Sequence, residues 1–162
     1  MKRVLLAGFS GNNNSSKVIL DKCSCCLKKL YLENDFSTCA SQIETAVSDG
    51  YNLILILGQK PVIKSVCIEI AGRDSCDCLR TDFDYRVLAD RLTESGYRVR
   101  ISENAGNYLC NHVYYHGLMA ASSGSKHTHI IFLHVPYLKN IIDVDLLALT
   151  LSNFLLDLDF PA

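Results

Sequence analysis

The chain has 162 residues, 49% of them hydrophobic, which is enough for one domain with its own core. Its 16 Lys and Arg residues nearly balance its 17 Asp and Glu residues, giving a net charge of −1. This balance, and the absence of a basic run, argues against nucleic acid or an anionic membrane as a partner.

The apolar N-terminal stretch ends at Gly8, so it is too short for a signal-peptide core and is better explained as a buried strand. No apolar stretch approaches the ~18–20 residues that span a bilayer. We therefore expect a cytosolic protein. In that compartment the eight cysteines are expected to stay reduced.

Strand-length apolar segments alternate with segments of helical periodicity. In the first half of the chain, the pattern predicts a strand at residues 4–7, a helix after Asn14, a strand at 30–32, a helix capped by Ser37 and ending near 49, and a strand at 51–57. A strand at 66–70, a polar loop at 73–81 and a helix at 85–94 follow. The last predicted elements are a strand at 97–102, a helix at 107–121, a strand at 128–134 and a helix at 144–156. This alternation predicts a single α/β domain over residues 1–162, a three-layer α/β/α sandwich with a mostly parallel open sheet. Sites in such sheets lie beyond the carboxyl ends of the strands.

Cys110 follows a predicted strand and an Ala-Gly turn and lies in the first turn of a predicted helix. Free backbone N–H groups and the helix dipole at this position favour a thiolate and can hold a developing oxyanion. Cys110 is therefore a candidate nucleophile, although a free cysteine is more often a small buried hydrophobe.

Two further side chains end predicted strands. His134 closes the run 130–133, where an imidazole can take a proton from a thiol. Glu69 ends the run 66–68, and a carboxylate at the same edge can orient the imidazole. For each residue alone, an ordinary loop or strand-end role is the commoner explanation.

Other reactive residues give weaker patterns. The Cys23–Cys26 and Cys76–Cys78 pairs lie too far apart in sequence for a typical structural zinc site. His127 and His129 share a strand face, but no neighbouring carboxylate or third histidine completes a metal site. His112 and His116 fit a packed or solvated helix face, and the glycines after the first strand match no nucleotide-binding fingerprint.

The segment from Asn104 to Asn111 (Asn-Ala-Gly-Asn-Tyr-Leu-Cys-Asn) resembles the nucleophile signature of the pyroglutamyl peptidase I (pyrrolidone-carboxylate peptidase) family. Residues 132–136 (Phe-Leu-His-Val-Pro) are similar to its histidine segment, residues 68–71 to its glutamate segment and residues 4–9 to its opening strand. Gly58-Gln59 matches a Gly-Gln after a central strand. The order Glu, Cys, His is also that of the family.

The resemblance implies a cysteine exopeptidase that needs no metal or cofactor and removes N-terminal pyroglutamyl residues from peptides. It implies that Cys110 is the nucleophile, that His134 is the base and acid, and that Glu69 orients His134. It further implies a homo-oligomer that acts on a peptide or small amide, with these substrate-binding positions: Phe9, Asn12, Gln59, Arg80, Tyr108 and Leu109.

The chain also departs from the family pattern. Asn12 stands where the family has a second aromatic residue that helps to sandwich the lactam, and Arg80 is displaced by one position from the family arginine. The chain is also shorter than typical members. Two alternatives therefore stay open: a related cysteine amidohydrolase with a different small amide substrate, and a non-catalytic binding or assembly protein on the same fold.

Overall fold

The computed structural model describes residues 3–161. Its strands are β1 (Val4–Phe9), β2 (Lys28–Leu32), β3 (Leu53–Gln59), β4 (Val66–Glu69), β5 (Ala71–Arg73), β6 (Cys78–Arg80), β7 (Val99–Ser102) and β8 (His129–Val135). Its helices are α1 (Ser15–Lys22), α2 (Phe36–Ser48), α3 (Tyr85–Glu94), α4 (Leu109–Ser123) and α5 (Val144–Asp157), with a 3₁₀ turn at Leu138–Asn140. The order of elements agrees with the sequence prediction except at residues 73–81, which contribute to the antiparallel β5–β6 hairpin and do not form a plain loop.

Six strands form the main sheet in the order β2-β1-β3-β8-β4-β7. Strands β2, β1, β3 and β8 are parallel, whereas β4 pairs with β8 in the antiparallel sense and β7 is parallel to β4. Helices α1, α3 and α5 cover one face, and α2 and α4 cover the other. The predicted three-layer α/β/α architecture with a mostly parallel sheet is confirmed.

The central strands are apolar throughout because both of their faces are buried. On β3, Leu53, Leu55 and Leu57 pack with the side chains of α1, α3 and α5. The alternate residues Ile54 and Ile56 pack with α2 and α4. This period of two fixes which face each strand-end side chain occupies, and it therefore places the candidate functional residues.

Four of the five helices begin at a side-chain cap, which satisfies backbone N–H groups that have no partner within the helix. The capping residues are Asn14, Asp35, Asp84 and Asp143. The predicted cap Ser37 is wrong, because Asp35 accepts the hydrogen bond from the Thr38 N–H and α2 begins one residue before Ser37. Helix α4 has Tyr108 at its N-cap position, where no side chain caps the helix.

The direction of β4 corrects one part of the sequence argument. Because β4 runs opposite to β8, the carboxyl end of β4 points toward the amino-terminal end of β8. Glu69 is aligned with Phe132, and Cys67 is aligned with His134. Glu69 and His134 therefore do not meet at a shared carboxyl edge. They are diagonal neighbours on one sheet face, which is within reach of long side chains.

Two features of the described chain bear on its surroundings. None of the helices within residues 3–161 is long and apolar enough to cross a membrane. All eight cysteines fall in this range, and none of them forms a disulfide.

Candidate active site

Glu69 and His134 form a buried hydrogen-bonded pair. The His134 Nδ1 and Glu69 Oε1 atoms are 2.7 Å apart, and the two residues are 2% and 0% exposed. Burial alone raises the pKa of Glu69. The hydrogen bond from His134, the nearby Ser102 hydroxyl and the positive charges of His134 and Lys60 outweigh burial and hold this pKa below its ordinary value. Glu69 is therefore a carboxylate at neutral pH, and it fixes the orientation of the imidazole through Nδ1.

Cys110 lies over the strand next to His134. A Cβ built on Gly58 would lie 2.6 Å from Cys110 Sγ and 2.6 Å from Phe132 Cζ, so the sulfur occupies the space that a side chain at residue 58 would need. Gly58 is aligned with His134 in the parallel β3–β8 pair. Aligned residues of neighbouring strands point to the same face about 4.8 Å apart. The sulfur is thus placed beside the imidazole.

Within residues 3–161 no hydrogen bond joins Cys110 to His134. Such contacts are often loose in a substrate-free enzyme and tighten when substrate binds. Because Nδ1 is held by Glu69, Nε2 is the ring atom left to exchange a proton with the sulfur.

Burial, followed by the negative charge of Glu69, raises the pKa of the Cys110 thiol to about 12. This direction is opposite to the thiolate expected from the start of a helix. The sulfur is shielded among neighbouring side chains beneath the first turn of α4, so desolvation outweighs the favourable backbone environment. Cys110 is a neutral thiol at rest.

Helix α4 is tied to β4, which carries Glu69, and to β5, which follows it. Tyr114, fully buried and one turn after Cys110, donates a hydrogen bond of 2.8 Å from its hydroxyl to the Glu69 carbonyl oxygen. Asn111 contributes two more bonds, accepting from the Arg73 N–H at 2.9 Å and donating to the Arg73 carbonyl oxygen at 2.7 Å. These bonds fix the position of the sulfur relative to the Glu69–His134 pair.

Two of the predicted substrate-binding residues lie in the same cluster as Cys110. Phe9 ends β1 on the face covered by α2 and α4 and is 3% exposed. Leu109 packs into this cluster directly before the cysteine. Both residues are apolar, and both belong to the cluster against which Cys110 packs.

Gln59 and Asn12 lie elsewhere. Gln59 follows Gly58, so its side chain points to the opposite face, where Oε1 accepts hydrogen bonds of 2.8 Å from the Ser15 N–H and hydroxyl. This contact holds the start of α1 against β3. Asn12 is exposed in the turn that precedes α1. The Gln59 side chain therefore binds Ser15 at the start of α1, and Asn12 is exposed at the surface.

Arg80 and Tyr108 are also outside the buried cluster. Arg80 Nη2 lies 2.6 Å from Glu103 Oε1 in an exposed ion pair. Tyr108 is 66% exposed, and its ring packs edge-on against Phe36 with centroids 5.3 Å apart. Neither side chain contacts Cys110, His134 or Glu69.

Three residues around Glu69 were not identified from the sequence. Lys60 Nζ lies 3.8 Å from Glu69 Oε1, Cys67 Sγ lies 3.6 Å from the same oxygen, and Ser102 is aligned with Glu69 on β7. Because side chains alternate between the two faces of a strand, residues two apart share a face. This rule could have placed Lys60 on the face of Gly58 and Cys67 on the face of Glu69. The proximity of Ser102 depends on strand pairing and has no local signal.

The pyroglutamyl peptidase family model matches residues 81–152, a segment that includes Cys110 and His134 but not Glu69. The pyrrolidone-carboxylate peptidase of Halalkalibacterium halodurans is 39% identical over 57 residues, 35% of this chain and 28% of that protein. Pyrrolidone-carboxylate peptidase 1 of Ralstonia nicotianae is 32% identical over 53 residues, 33% of this chain and 25% of that protein. The aligned segments thus span about a quarter of the length of these curated relatives.

Solved structures extend the similarity of fold to nearly the whole chain. The pyrrolidone carboxyl peptidase of Fervidobacterium islandicum AW-1 superposes with a TM-score of 0.81 at 21% identity, covering 94% of this chain and 98% of that chain. Pyroglutamyl peptidase I of Bacillus amyloliquefaciens gives a TM-score of 0.83 at 16% identity, covering 95% of each chain. At these identities the superpositions establish the fold. Together with the family model matched around Cys110 and His134, they support the resemblance predicted from the sequence: residues 81–152 are similar to the pyroglutamyl peptidase family, and the chain shares the fold of its solved members.

Proposed function

We propose that this protein is a cysteine peptidase that hydrolyses the amide bond after an N-terminal pyroglutamyl residue. The observation that carries the proposal is the buried 2.7 Å Glu69–His134 pair, which lies next to a cysteine sulfur held against Gly58. A carboxylate, an imidazole and a thiol in this order form a nucleophilic relay. The names of the relatives supply the substrate class.

In the proposed reaction, Cys110 Sγ attacks the pyroglutamyl carbonyl carbon while its proton passes to His134 Nε2. Collapse of the tetrahedral intermediate breaks the C–N bond, and the proton moves from His134 to the leaving amine. Water then attacks the thioester with His134 as base, releasing pyroglutamate and restoring the thiol. Glu69 stabilises the imidazolium through Nδ1 in both half-reactions.

The raised pKa of Cys110 determines how the first step proceeds. A thiol whose pKa is about 12 is rarely ionised at neutral pH, so the proton must leave as the carbon–sulfur bond forms. Substrate that displaces water and brings the carbonyl to the sulfur would couple the two events. The base is therefore expected to matter more here than in an enzyme with a preformed thiolate.

Helix α4 offers a means to stabilise the oxyanion. No side chain caps its first turn, so backbone N–H groups near Cys110 remain to donate to a developing negative charge. Phe9 and Leu109 would supply the apolar wall against the flat lactam.

A related cysteine amidohydrolase is the second candidate, and the observation that favours it is at residue 12. Asn12 is exposed and polar where the family places an aromatic residue, and the pocket then presents one aromatic wall, from Phe9. A pocket of this kind would discriminate less strongly in favour of a lactam ring.

Release of aminomethylcoumarin from its pyroglutamyl amide tests the proposal. We expect the parent to release the fluorophore and Cys110→Ala to lose at least about 1000-fold in kcat/KM. Cys23→Ala is the matched control, because Cys23 is also a buried thiol but packs on the opposite face of the sheet. The acyl-enzyme should appear as a pyroglutamyl adduct on Cys110 after acid quench.

Three outcomes separate the candidates. Hydrolysis of the pyroglutamyl amide that depends on Cys110 supports the peptidase. Hydrolysis of prolyl, glutaminyl or acetyl amides in its place, again dependent on Cys110, would select the amidohydrolase. If none of these amides is cleaved faster by the parent than by Cys110→Ala, the chain does not function as a hydrolase of this type and the binding or assembly role remains.

We also propose that the protein forms homo-oligomers, as the family resemblance implies. The side chains of Val62 and Ile142 are 85% and 90% exposed in the monomer, so both are free to be covered in an oligomer. Light scattering coupled to size exclusion measures the mass directly, and a concentration-independent monomer would contradict this proposal.

A further inference from the structure

A second group of reactive side chains lies at the amino-terminal end of β8, far along the strand from His134. We propose that Asp82, His127 and His129 form a binding site for a divalent transition-metal ion of the zinc class. One ligand atom from each of these residues lies within 4.8 Å of the others. The carboxylate comes from the segment between β6 and α3, one imidazole comes from His129 at the start of β8, and the other comes from His127, two residues before it.

The three side chains already converge through the atoms that would bind the ion. His129 Nδ1 lies 2.7 Å from Asp82 Oδ1, and His127 Nε2 lies 3.0 Å from Asp82 Oδ2. The two rings are 4.4 Å apart at an interplanar angle of 88°. An ion with ligands at about 2.0–2.1 Å holds them roughly 3.3 Å from one another, so movements of less than about 1 Å would admit it.

One of the ligands is held in place before any ion arrives. The His129 ring stacks on Phe160 at a centroid distance of 6.1 Å and packs edge-on against Phe83 at 5.8 Å. Its side chain is 22% exposed, whereas those of His127 and Asp82 are 67% and 54% exposed. A fixed imidazole and two accessible partners give a site that an ion can enter from solvent.

The donor set selects the class of metal. Two imidazole nitrogens and one carboxylate suit Zn²⁺, Co²⁺ or Ni²⁺, whereas Mg²⁺ and Ca²⁺ prefer oxygen ligands throughout. A fourth position is left for water. A cavity of about 390 Å³ borders Asp82 and His127, with Arg80 and Lys126 also on its wall, so this position is open to solvent and to small anions.

The location predicts a stabilising role. His129 is aligned with Leu53 at the start of the sheet, whereas His134 is aligned with Gly58 near its other end. The ion would join the segment before α3 to the start of β8 without approaching Cys110. Metal binding should therefore raise the melting temperature and leave turnover unchanged, which makes this inference independent of the proposed peptidase activity.

Titration calorimetry with ZnCl₂ tests the site. The exposed thiols of Cys25, Cys26, Cys76 and Cys78 offer competing zinc ligands, so the experiment uses a background protein in which these four are serine. We expect one equivalent of Zn²⁺ to bind, and Asp82→Asn or His127→Gln to weaken binding at least about tenfold. His112→Gln is the matched control, because His112 belongs to the other histidine pair, with a centroid distance of 4.4 Å to His116.

Cobalt provides a second readout. CoCl₂ should give the visible absorption of four-coordinate Co²⁺ without a thiolate charge-transfer band in the background protein, and Asp82→Asn should abolish it. Zinc should also raise the melting temperature of the background protein and of His112→Gln but not of His127→Gln. Zinc binding that is equal in all variants, or absent from the background protein, would overturn the proposal.

Discussion

Replacing Gly58 with alanine directly tests whether the Cys110 sulfur packs against this glycine. The new methyl group would lie 2.6 Å from both Cys110 Sγ and Phe132 Cζ, whereas comfortable contacts between such atoms begin near about 3.5 Å. Relieving both contacts therefore requires the two side chains to move apart or the backbone of residue 58 to shift, by about 1 Å at each contact. Phe132 is fully buried against Tyr114 and His134, so it has little room to yield.

Two magnitudes follow from this displacement. Overpacking of a filled core costs about 1–3 kcal/mol, and for a domain of this size each kcal/mol lowers the melting temperature by roughly 2–4 °C. A shift of about 1 Å in a reacting atom lowers the rate roughly 100-fold. We therefore expect Gly58→Ala to unfold several degrees below the parent and to lose about two orders of magnitude in kcat/KM for the pyroglutamyl amide.

Gly8→Ala is the matched control. Gly8 lies on the neighbouring strand β1, and an added Cβ there would meet its nearest atoms at 3.4 and 3.6 Å, which is close to ordinary contact. Neither glycine has a positive φ, so alanine adds no backbone strain at either position. Thermal unfolding by circular dichroism and the fluorogenic assay are run on both variants. If Gly58→Ala matches Gly8→Ala in stability and activity, the sulfur is not held against this glycine.

Further predictions concern the residues around the sulfur. His134→Ala should lower kcat/KM more than Glu69→Gln, since proton transfer contributes more than orientation; equal losses would contradict the assigned roles. Tyr114→Phe should lower kcat with little change in KM, because it removes only the bond that ties α4 to β4; an unchanged kcat would assign Tyr114 to packing alone. Because the folded pKa of Glu69 is lowered, its contribution to stability is present above the unfolded value of about 4.3 and is lost as the pH falls through the folded value. Acid unfolding monitored between pH 6 and pH 2 should therefore be less steep in Glu69→Gln than in the parent. Alkylation of Cys110 by iodoacetamide should keep accelerating up to pH 10, and a plateau near neutral pH would indicate a preformed thiolate.

The sequence predicted the elements whose signal is local. The helix predicted at residues 85–94 is α3 with the same bounds, because Leu88 and Leu92 recur on one face and Asp84 supplies a cap. The strands of the central sheet were recognised from continuous apolar runs. These features need only the period of the side chains and the chemistry of the helix ends.

Other features depend on contacts between distant segments. Residues 73–81 were predicted as a loop because the strands of the β5–β6 hairpin are only three residues long and show no clear periodicity. The position of the hairpin depends on packing of Gly72 against the backbone of Tyr115. The reversed direction of β4 was also missed, since an apolar run has the same appearance in either orientation. Both the hairpin and the direction of β4 are decided by strand pairing, which the local sequence pattern does not show.

The candidate functional residues also divide into those with a local sequence signal and those that depend on contacts between distant segments. The sequence motifs selected Cys110, His134 and Glu69, and the structure brings Glu69 to His134 by a diagonal contact that the edge argument did not describe. Asp82 was overlooked as a partner of His127 and His129 because it lies 45 residues away from the first of them in the sequence. Desolvation of Cys110 likewise depends on the packing of side chains that sequence spacing does not reveal.

The reversed strand β4 separates two requirements that many enzymes place on one set of loops. In the proposed function, substrate contacts are made where β1, β3 and β8 end, whereas the acidic partner of the imidazole is anchored inside the sheet by a strand that enters from the other side. Loops at the substrate end can therefore change in length or polarity without disturbing the hydrogen bond that orients the base. A variant with a redesigned turn at residues 10–14 should accordingly accept new amides while keeping its proton-transfer machinery in place.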